Sequence, residues 1–462
     1  MLNKIIKIAP STVVPLLAGL IVTFLNTNML TTEEFGQLSI YNNTITFAST
    51  IFYNFIIQSF LRYYYNYNSK SEKKYFKRSY VTYLFIMFFV SSIALIIFNF
   101  ILGFSNKVIF LIIINSFFLS VFNLQLNDFR CEGELNKYNL YKVLNSVFKI
   151  AIIFAMYSVS NTSISYLIAT VLSFSLLCTS YIFKNGKFNF DKKLFNNTIK
   201  FGLPLVGTSL GYLLLSTFDR YMISFIRGNV EVAYYSFAYQ ISELSLVNVN
   251  TLLMVIFYPA IIKEYDANGK KTTESLIGKL FNYHMIIVFS MAILLIIFSK
   301  DLTHLFFKKY IGTENYIVLI VIGVFIYCTS FYTNKAFEVK KKTNELLYIT
   351  SISAFINILL NLVFIPIYGA IAATVTTSVS YLIYIALSIY KGRKYLNIKF
   401  DKKVLLYVII VNIIAFTFSV IISYVTVDIN IKNTVIKFWG VLLIYTISFV
   451  CIKTKGIFKE KS

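Results

Sequence analysis

Long apolar segments alternate with short polar loops along the whole 462-residue chain. The apolar runs are about 20 residues long, the length that an α-helix needs to cross the hydrocarbon core of a bilayer. A membrane β-barrel would instead show segments of about ten residues with alternating polarity. The pattern therefore predicts an all-α polytopic membrane protein with fourteen transmembrane helices. The predicted spans are residues 5–28, 38–61, 79–102, 107–126, 139–158, 164–183, 201–225, 233–260, 280–298, 311–333, 346–366, 369–389, 404–424 and 435–452.

Composition supports a membrane location and argues against several classes of enzyme. Hydrophobic residues make up 57% of the chain and charged residues only 14%, too few for a protein whose outside faces water. The four cysteines are scattered, with neither metal-ligand nor disulfide spacing. We find no catalytic triad, phosphate-binding glycine loop or paired-carboxylate site. We therefore expect a transporter without metal or cofactor, driven by an H⁺ or Na⁺ gradient, the membrane potential or mass action.

The net charge of +23 follows the predicted topology. When the spans alternate in direction, one side of the membrane holds most of the 43 lysines and arginines. The positive-inside rule places that side, with both termini, in the cytoplasm. Such a surface attracts anionic lipids, so membrane lipids rather than nucleic acid are the expected partners. The basic start MLNKIIKIAP is interpreted as the beginning of an uncleaved first span.

A weak internal repeat divides the chain into two halves with the same orientation. A shift of 194 aligns Pro10 with Pro204, and a shift of 208 aligns Lys149 with Asn357. Parallel repeats occur in transporters whose substrate site lies between the halves. The predicted division is an N-lobe at 1–183, a cytoplasmic linker at 184–200, a C-lobe at 201–390, and two further helices with a cytoplasmic tail at 391–462.

Several stretches resemble one family of exporters. They are EEFGQLSIYN at 33–42, QSFLRYYY at 58–65, FGLPLVGTSLGYLLLSTFDRYMIS at 201–224, AYYSFAYQISE at 233–243 and NLVFIPIYGAIAATVTTSVSYL at 361–382. In order and spacing they resemble the O-antigen or capsular polysaccharide flippases (Wzx type) of the multidrug/oligosaccharidyl-lipid/polysaccharide (MOP) exporter superfamily.

This resemblance implies both an architecture and a substrate. Two six-helix lobes, related by a parallel pseudo-two-fold, would form a V around a central cavity that opens by alternating access, and two C-terminal helices would be added. The substrate would be an undecaprenyl-diphosphate-linked oligosaccharide, moved from the inner to the outer leaflet of the bacterial cytoplasmic membrane. Other polysaccharide assembly proteins are possible partners.

Charged residues inside spans are candidates for the substrate path, because burying a charge in a membrane is costly. Lys149 lies about 15 Å deep in the fifth span and shares a helix face with Lys142 and Asn145. Lys149 either lines the cavity and binds diphosphate or an acidic sugar, or pairs with an acid of another helix. Its repeat partner Asn357 gives the eleventh span a polar face.

Glu243 shares a face with Gln240 in the eighth span. Three roles stay open for it: a gating ion pair with Lys149, a carboxylate that couples H⁺ or Na⁺, or a ligand of sugar hydroxyls. Asp128 and Arg130, at the end of the fourth span, are interpreted as part of a solvated inner loop.

A polar stripe along the second span repeats every four residues. Such a stripe drifts about 40° per step around a helix, so its members cannot all face one site. Its last members, Gln58 and Arg62, lie near the inner face; Arg62 either snorkels to the interface or binds phosphate. The full stripe is Asn42, Thr46, Thr50, Asn54, Gln58 and Arg62.

The seventh span has a polar face that includes Ser209, Tyr212 and Asp219, with Arg220 about 100° around the helix. The face is either the outer-leaflet wall of a cavity or, at Asp219 and Arg220, a structural ion pair.

Other functions fit the sequence less well. A lipid II flippase would be expected to carry arginines in the first span, which has none, and a multidrug exporter usually has twelve spans. A polysaccharide polymerase or acyltransferase would need a large external loop or a buried catalytic histidine.

Overall fold

The computed structural model describes residues 10–454 except 399 and 427, and among these it contains no β-strand. The first residues of the chain, where the first span is predicted to begin, and the predicted cytoplasmic tail after 454 lie outside the described residues. The same holds for the side chain of Cys451.

Twenty α-helices make up the described chain. They are α1 (Pro10–Met29), α2 (Thr32–Phe52), α3 (Asn54–Tyr63), α4 (Lys70–Leu102), α5 (Asn106–Cys131), α6 (Leu135–Val159), α7 (Ser163–Asn185), α8 (Lys192–Thr217), α9 (Asp219–Arg227), α10 (Asn229–Ser242), α11 (Asn248–Asn268), α12 (Lys270–His284), α13 (Ser290–Ile297), α14 (Ser299–Phe306), α15 (Glu314–Thr333), α16 (Lys335–Val339), α17 (Thr343–Tyr368), α18 (Ala370–Gly392), α19 (Lys402–Val425) and α20 (Ile431–Thr454). Short 3₁₀ turns lie at Tyr64–Asn66 and Lys308–Tyr310, and π-helical turns at Glu243–Val247 and Met285–Phe289.

The length and apolarity of these helices confirm an all-α polytopic membrane protein. Among the described residues, 12 helices are long and apolar enough to cross a membrane, or 13 when the bent pair α2–α3 counts as one span. The fourteenth predicted span coincides with α20, which has 24 residues but is not among those 12 or 13 helices, so the number fourteen stays a prediction. Three helices begin nine or ten residues before their predicted spans: α4 at Lys70 instead of 79, α8 at Lys192 instead of 201, and α12 at Lys270 instead of 280. At α8, the Asp191 side chain accepts a hydrogen bond from the Leu194 amide and caps the helix.

Packing divides the chain into two units, with the boundary between Ala233 and Tyr234. The helices α8 and α9 therefore belong to the first unit, whereas the internal repeat assigns 201–390 to the second lobe. The lobe boundaries drawn from the repeat stay a prediction.

Aromatic side chains form the core of the first unit around α3 and α4. Phe60 packs edge-on against Tyr80 with ring centroids 5.2 Å apart, and both side chains are fully buried. Beside this core, α8 lies against α3 so closely that a Cβ on Gly202 would overlap the backbone carbonyl of Phe55. Glycine at this position therefore sets the distance between two helices that line the cavity described below.

Buried polar contacts join helices of the second unit. The Asn357 amide donates to the Thr377 hydroxyl over 3.3 Å and thereby links α17 to α18. At another place, the Lys437 ammonium of α20 lies 2.9 Å from the Asp301 carboxylate of α14. The second contact attaches the last helix to the body of the unit.

Candidate functional site

A polar cavity of about 730 Å³ lies within the first unit. Helices α2, α3, α5, α6 and α8 supply its walls. The lining residues are Thr46, Ser49, Thr50, Asn54, Ile57, Gln58, Leu119, Asn123, Leu126, Asn127, Arg130, Tyr138, Lys142, Ser209, Tyr212 and Leu213. Most of these side chains carry an amide, a hydroxyl or a positive charge, and this lining includes no carboxylate.

The polar stripe of the second span, which repeats every four residues, crosses a bend between α2 and α3. The two helices meet at Tyr53 with an angle of 47°, and the buried Tyr53 hydroxyl contacts the Ser91 hydroxyl over 2.7 Å. The four middle members of the stripe, from Thr46 to Gln58, line one cavity. The expectation that not all six members face one site is met only at the two ends of the stripe, since Asn42 and Arg62 do not line the cavity.

The opposite wall comes from α8, where part of the predicted polar face is present. Ser209 and Tyr212 line the cavity, and the Asn54 amide donates to the Ser209 hydroxyl over 3.4 Å. This contact joins α3 to α8 beside the Gly202–Phe55 approach. The predicted face on the seventh span thus meets the stripe of the second span.

Two cations extend the polar lining on the side of α5 and α6. Arg130 and Lys142 both line the cavity, and both lie near the ring of Tyr138, at 6.0 Å and 5.3 Å from its centroid. Within the described part of the chain, neither cation has a carboxylate oxygen within 4 Å. Their charges are therefore available to an anion that enters the cavity.

The interpretation of Asp128 and Arg130 as part of a loop is wrong, and only Arg130 is exposed to solvent. Both residues belong to α5, which continues to Cys131. Asp128 is 3% exposed, and its carboxylate lies 2.9 Å from the Lys77 ammonium of α4. Residues two apart on a helix point to nearly opposite sides, so Asp128 faces α4 whereas Arg130 faces the cavity.

The other candidates of the first unit do not line this cavity, except Gln58. Arg62 is exposed, with its guanidinium 6.0 Å from the centre of the Phe201 ring. Lys149 is half-buried, with its ammonium 5.2 Å from the centre of the Tyr166 ring. Asn145 is half-buried as well, and its side-chain oxygen has no hydrogen-bond partner among the described residues. The roles predicted for Arg62, Lys149 and Asn145 stay predictions.

Asp219 and Arg220 lie at the junction of α8 and α9 and are both buried. The Asp219 carboxylate accepts a hydrogen bond of 2.8 Å from the Arg220 amide, at the N-terminus of α9. The Arg220 guanidinium lies 3.4 Å from the Ser216 carbonyl. These contacts stabilise the junction, and the cavity-wall role predicted for the pair stays untested.

The candidates of the second unit differ in exposure. Gln240 is half-buried in α10, and Glu243 is exposed at the start of a π-helical turn. Asn357 is fully buried and is part of the link between α17 and α18. The described residues contain no group of three or more His, Cys, Asp or Glu side chains that could hold a metal ion.

A second cavity in the first unit, of about 600 Å³, has an apolar lining. It shares α2 and α8 with the polar cavity, through Ala48, Ile51, Leu210 and Leu214. The same two helices therefore present polar side chains to one space and hydrocarbon side chains to another.

The model of a family described as polysaccharide biosynthesis protein matches residues 1–264, more than half of the chain. The chain belongs to this polysaccharide biosynthesis family. A second family model, described as MatE, matches residues 204–363. A curated relative, an uncharacterised membrane protein of Methanocaldococcus jannaschii, is 26% identical over 310 residues. That match covers 62% of this chain and 59% of the relative, so the chain spans about three fifths of the length of the curated relative it matches.

Solved structures show that this family member has the fold of MOP transporters. The lipid II flippase MurJ, in an inward closed conformation, is similar with a TM-score of 0.76 and 17% identity, over 98% of this chain and 99% of the other. A multidrug resistance MATE transporter, in an inward-facing conformation, is similar with a TM-score of 0.59 and 16% identity, over 83% of this chain and 94% of the other. A MOP transporter from Pyrococcus furiosus is similar with a TM-score of 0.56 and 12% identity, over 84% of this chain and 94% of the other.

Sequence reasoning missed several cavity residues of this polysaccharide biosynthesis protein, although a signal for them exists. Asn123, Asn127 and Arg130 follow the spacing i, i+4, i+7, which places them on one face of α5. Tyr138 and Lys142 are four residues apart on α6. Arg130 and Lys142 were assigned to an inner loop and to the face of Lys149. The other three were not predicted because they lie near the predicted ends of the fourth and fifth spans, where polar residues are usually solvated.

Proposed function

We propose that the chain is a flippase that moves a polyprenyl-diphosphate-linked oligosaccharide from the inner to the outer leaflet of the bacterial cytoplasmic membrane, for surface polysaccharide synthesis. The observation that carries the proposal is the polar cavity with Arg130 and Lys142 in its wall and no carboxylate in its lining. Membership in the polysaccharide biosynthesis family and the MOP fold support it.

The chemistry of the cavity suits such a head group. A diphosphate and its sugars cannot cross hydrocarbon unassisted, because each unsatisfied polar group costs several kcal/mol. Arg130 offers a planar fork of donors to phosphate, and Lys142 adds a second positive charge. The amides of Asn54 and Gln58 and the hydroxyl of Ser209 suit sugar hydroxyls. A volume of about 730 Å³ lies within the range of small-molecule sites.

The lipid part of the substrate needs a different environment. An isoprenoid chain remains in hydrocarbon while its head group crosses, and the apolar cavity that shares α2 and α8 supplies such an environment beside the polar one. We propose that the termini are cytoplasmic, as the positive-inside rule predicts, and that an H⁺ or Na⁺ gradient or the membrane potential drives transport.

A lipid II-type substrate is the second candidate. The similarity to MurJ covers 98% of this chain, including its last two helices, whereas the similarity to the multidrug transporter covers 83%. Both substrates contain a polyprenyl diphosphate, so both fit the same two cations. Complementation of a strain that lacks its polysaccharide flippase, beside one depleted of its lipid II flippase, separates the two candidates.

The test compares Arg130→Ala, Lys142→Ala and the double variant in the polysaccharide flippase-null strain. Each change removes a charge-assisted contact, so we expect each to lower the rate at which surface polysaccharide is restored by about tenfold or more, and the double variant to abolish it.

Lys137→Ala is the matched control. Lys137 lies on α6 as well, but it is exposed and pairs with Glu134, so its loss should leave the rate unchanged. Full restoration by the double variant, at the membrane level of the unchanged protein, would contradict the assignment of the head-group site.

A further inference from the structure

Two acids flank Arg130 in the sequence, but both lie against another cation in the structure. Asp128 and Glu132 flank Arg130 two residues away on either side, but neither carboxylate forms a salt bridge with its guanidinium. Instead, the Lys77 ammonium of α4 contacts both: it lies 2.9 Å from Asp128 and also pairs with Glu132. The Lys77 side chain is only 12% exposed and that of Asp128 only 4%, so this pair is well shielded from solvent.

Helix geometry explains how one lysine reaches both acids. Asp128 and Glu132 are four residues apart and project from the same side of the end of α5. Arg130 lies midway between them, about 200° around the helix from each, and its side chain lines the cavity. The end of α5 thus presents two acids to α4 and one cation to the cavity.

We propose that Lys77 is a positioning residue that occupies Asp128 and Glu132 and so keeps the Arg130 charge available to an anion in the cavity. Within the part of the chain that the structure describes, no cation other than Lys77 forms a salt bridge with Asp128 or Glu132. Asp128 is buried on the side of α4. Glu132 follows the last residue of α5 and its side chain is 35% exposed, so this carboxylate can turn toward the guanidinium. The inference rests on the proposed function only for the identity of the anion.

One readout does not depend on any substrate. Phenylglyoxal reacts with the deprotonated guanidine group, and a neighbouring carboxylate slows this reaction because it stabilises the protonated form. The full-length protein in lipid nanodiscs is treated with phenylglyoxal, and mass spectrometry follows the modification of Arg130. We expect Lys77→Met to slow the modification by about tenfold. In the triple variant Lys77→Met, Asp128→Asn, Glu132→Gln, the original rate should return.

The second readout is binding of farnesyl diphosphate to the same proteins. Lys77→Met should weaken binding by about tenfold, the triple variant should bind within about twofold of the unchanged protein, and Lys74→Met, which removes an exposed lysine one turn earlier on α4, should have no effect. The triple variant leaves no buried acid without a partner, so it stays informative even if Lys77→Met does not fold.

The outcomes separate this inference from the proposed function. An unchanged Arg130 modification rate in Lys77→Met would overturn the inference, as would a triple variant that folds but keeps the slow rate and weak binding. If the unchanged protein does not bind farnesyl diphosphate while the modification rates change as expected, the diphosphate assignment fails and the role of Lys77 stands.

Discussion

Replacement of Lys437 by methionine should strongly destabilise the second unit. The Lys437 ammonium lies 2.9 Å from the Asp301 carboxylate and 3.0 Å from the Ile297 carbonyl, and both charged residues are 7% exposed. The Thr434 hydroxyl also donates to Asp301 over 2.6 Å. Lys437→Met keeps the length of the side chain but leaves Asp301 with Thr434 as its only remaining partner among these contacts.

The expected magnitude follows from the burial of the pair. Removing one member of a buried ion pair costs about 3–5 kcal/mol, because the remaining charge is uncompensated. For a unit of this size, each kcal/mol lowers the melting temperature by about 2–4 °C, so we expect a decrease of roughly 6–20 °C. The double variant Lys437→Met, Asp301→Asn removes both charges and should recover most of the loss, since apolar or neutral replacements of a buried pair are often tolerated.

Thermal unfolding of the purified proteins, followed by size-exclusion chromatography after heating, measures these changes. Lys432→Met is the control, because Lys432 lies on the same helix and is exposed. A melting temperature of Lys437→Met within about 2 °C of the unchanged protein would refute the reasoning, since the pair would then contribute less than about 1 kcal/mol. A double variant as unstable as the single one would show that packing rather than charge fixes α20.

Two further predictions concern the cavity and its walls. In the flippase-null strain, Lys142→Ala should slow surface polysaccharide restoration more than Arg62→Ala or Lys149→Ala, because Lys142 alone of the three lines the cavity. A larger effect of Lys149→Ala, at equal membrane levels, would indicate that the head group binds near Lys149 instead. Gly202→Ala should cost about 1–3 kcal/mol, because its Cβ would overlap the Phe55 carbonyl, and an unchanged melting temperature would exclude the close approach of α3 and α8.

The fold was predictable because one physical requirement dominates it. A chain that crosses the bilayer many times must satisfy its backbone within each segment, so apolar length alone locates the helices. The bend at Tyr53 was not predictable by the same route, since neither Pro nor Gly marks it. Thr46, on one side of the bend, and Gln58, on the other, both line the cavity.

The candidate site was only partly predictable, since its charge depends on contacts between distant segments. Read along the chain, Asp128, Arg130 and Glu132 have a net charge of −1, and such a cluster at a span end looks like ordinary solvated loop. The residue that changes this, Lys77, lies about fifty positions earlier, on another helix. Only when α4 packs against α5 does Lys77 form salt bridges with both acids, while Arg130 lines the cavity. In a membrane protein, a search for binding cations therefore has to ask which acids are already occupied as well as which lysines and arginines are buried.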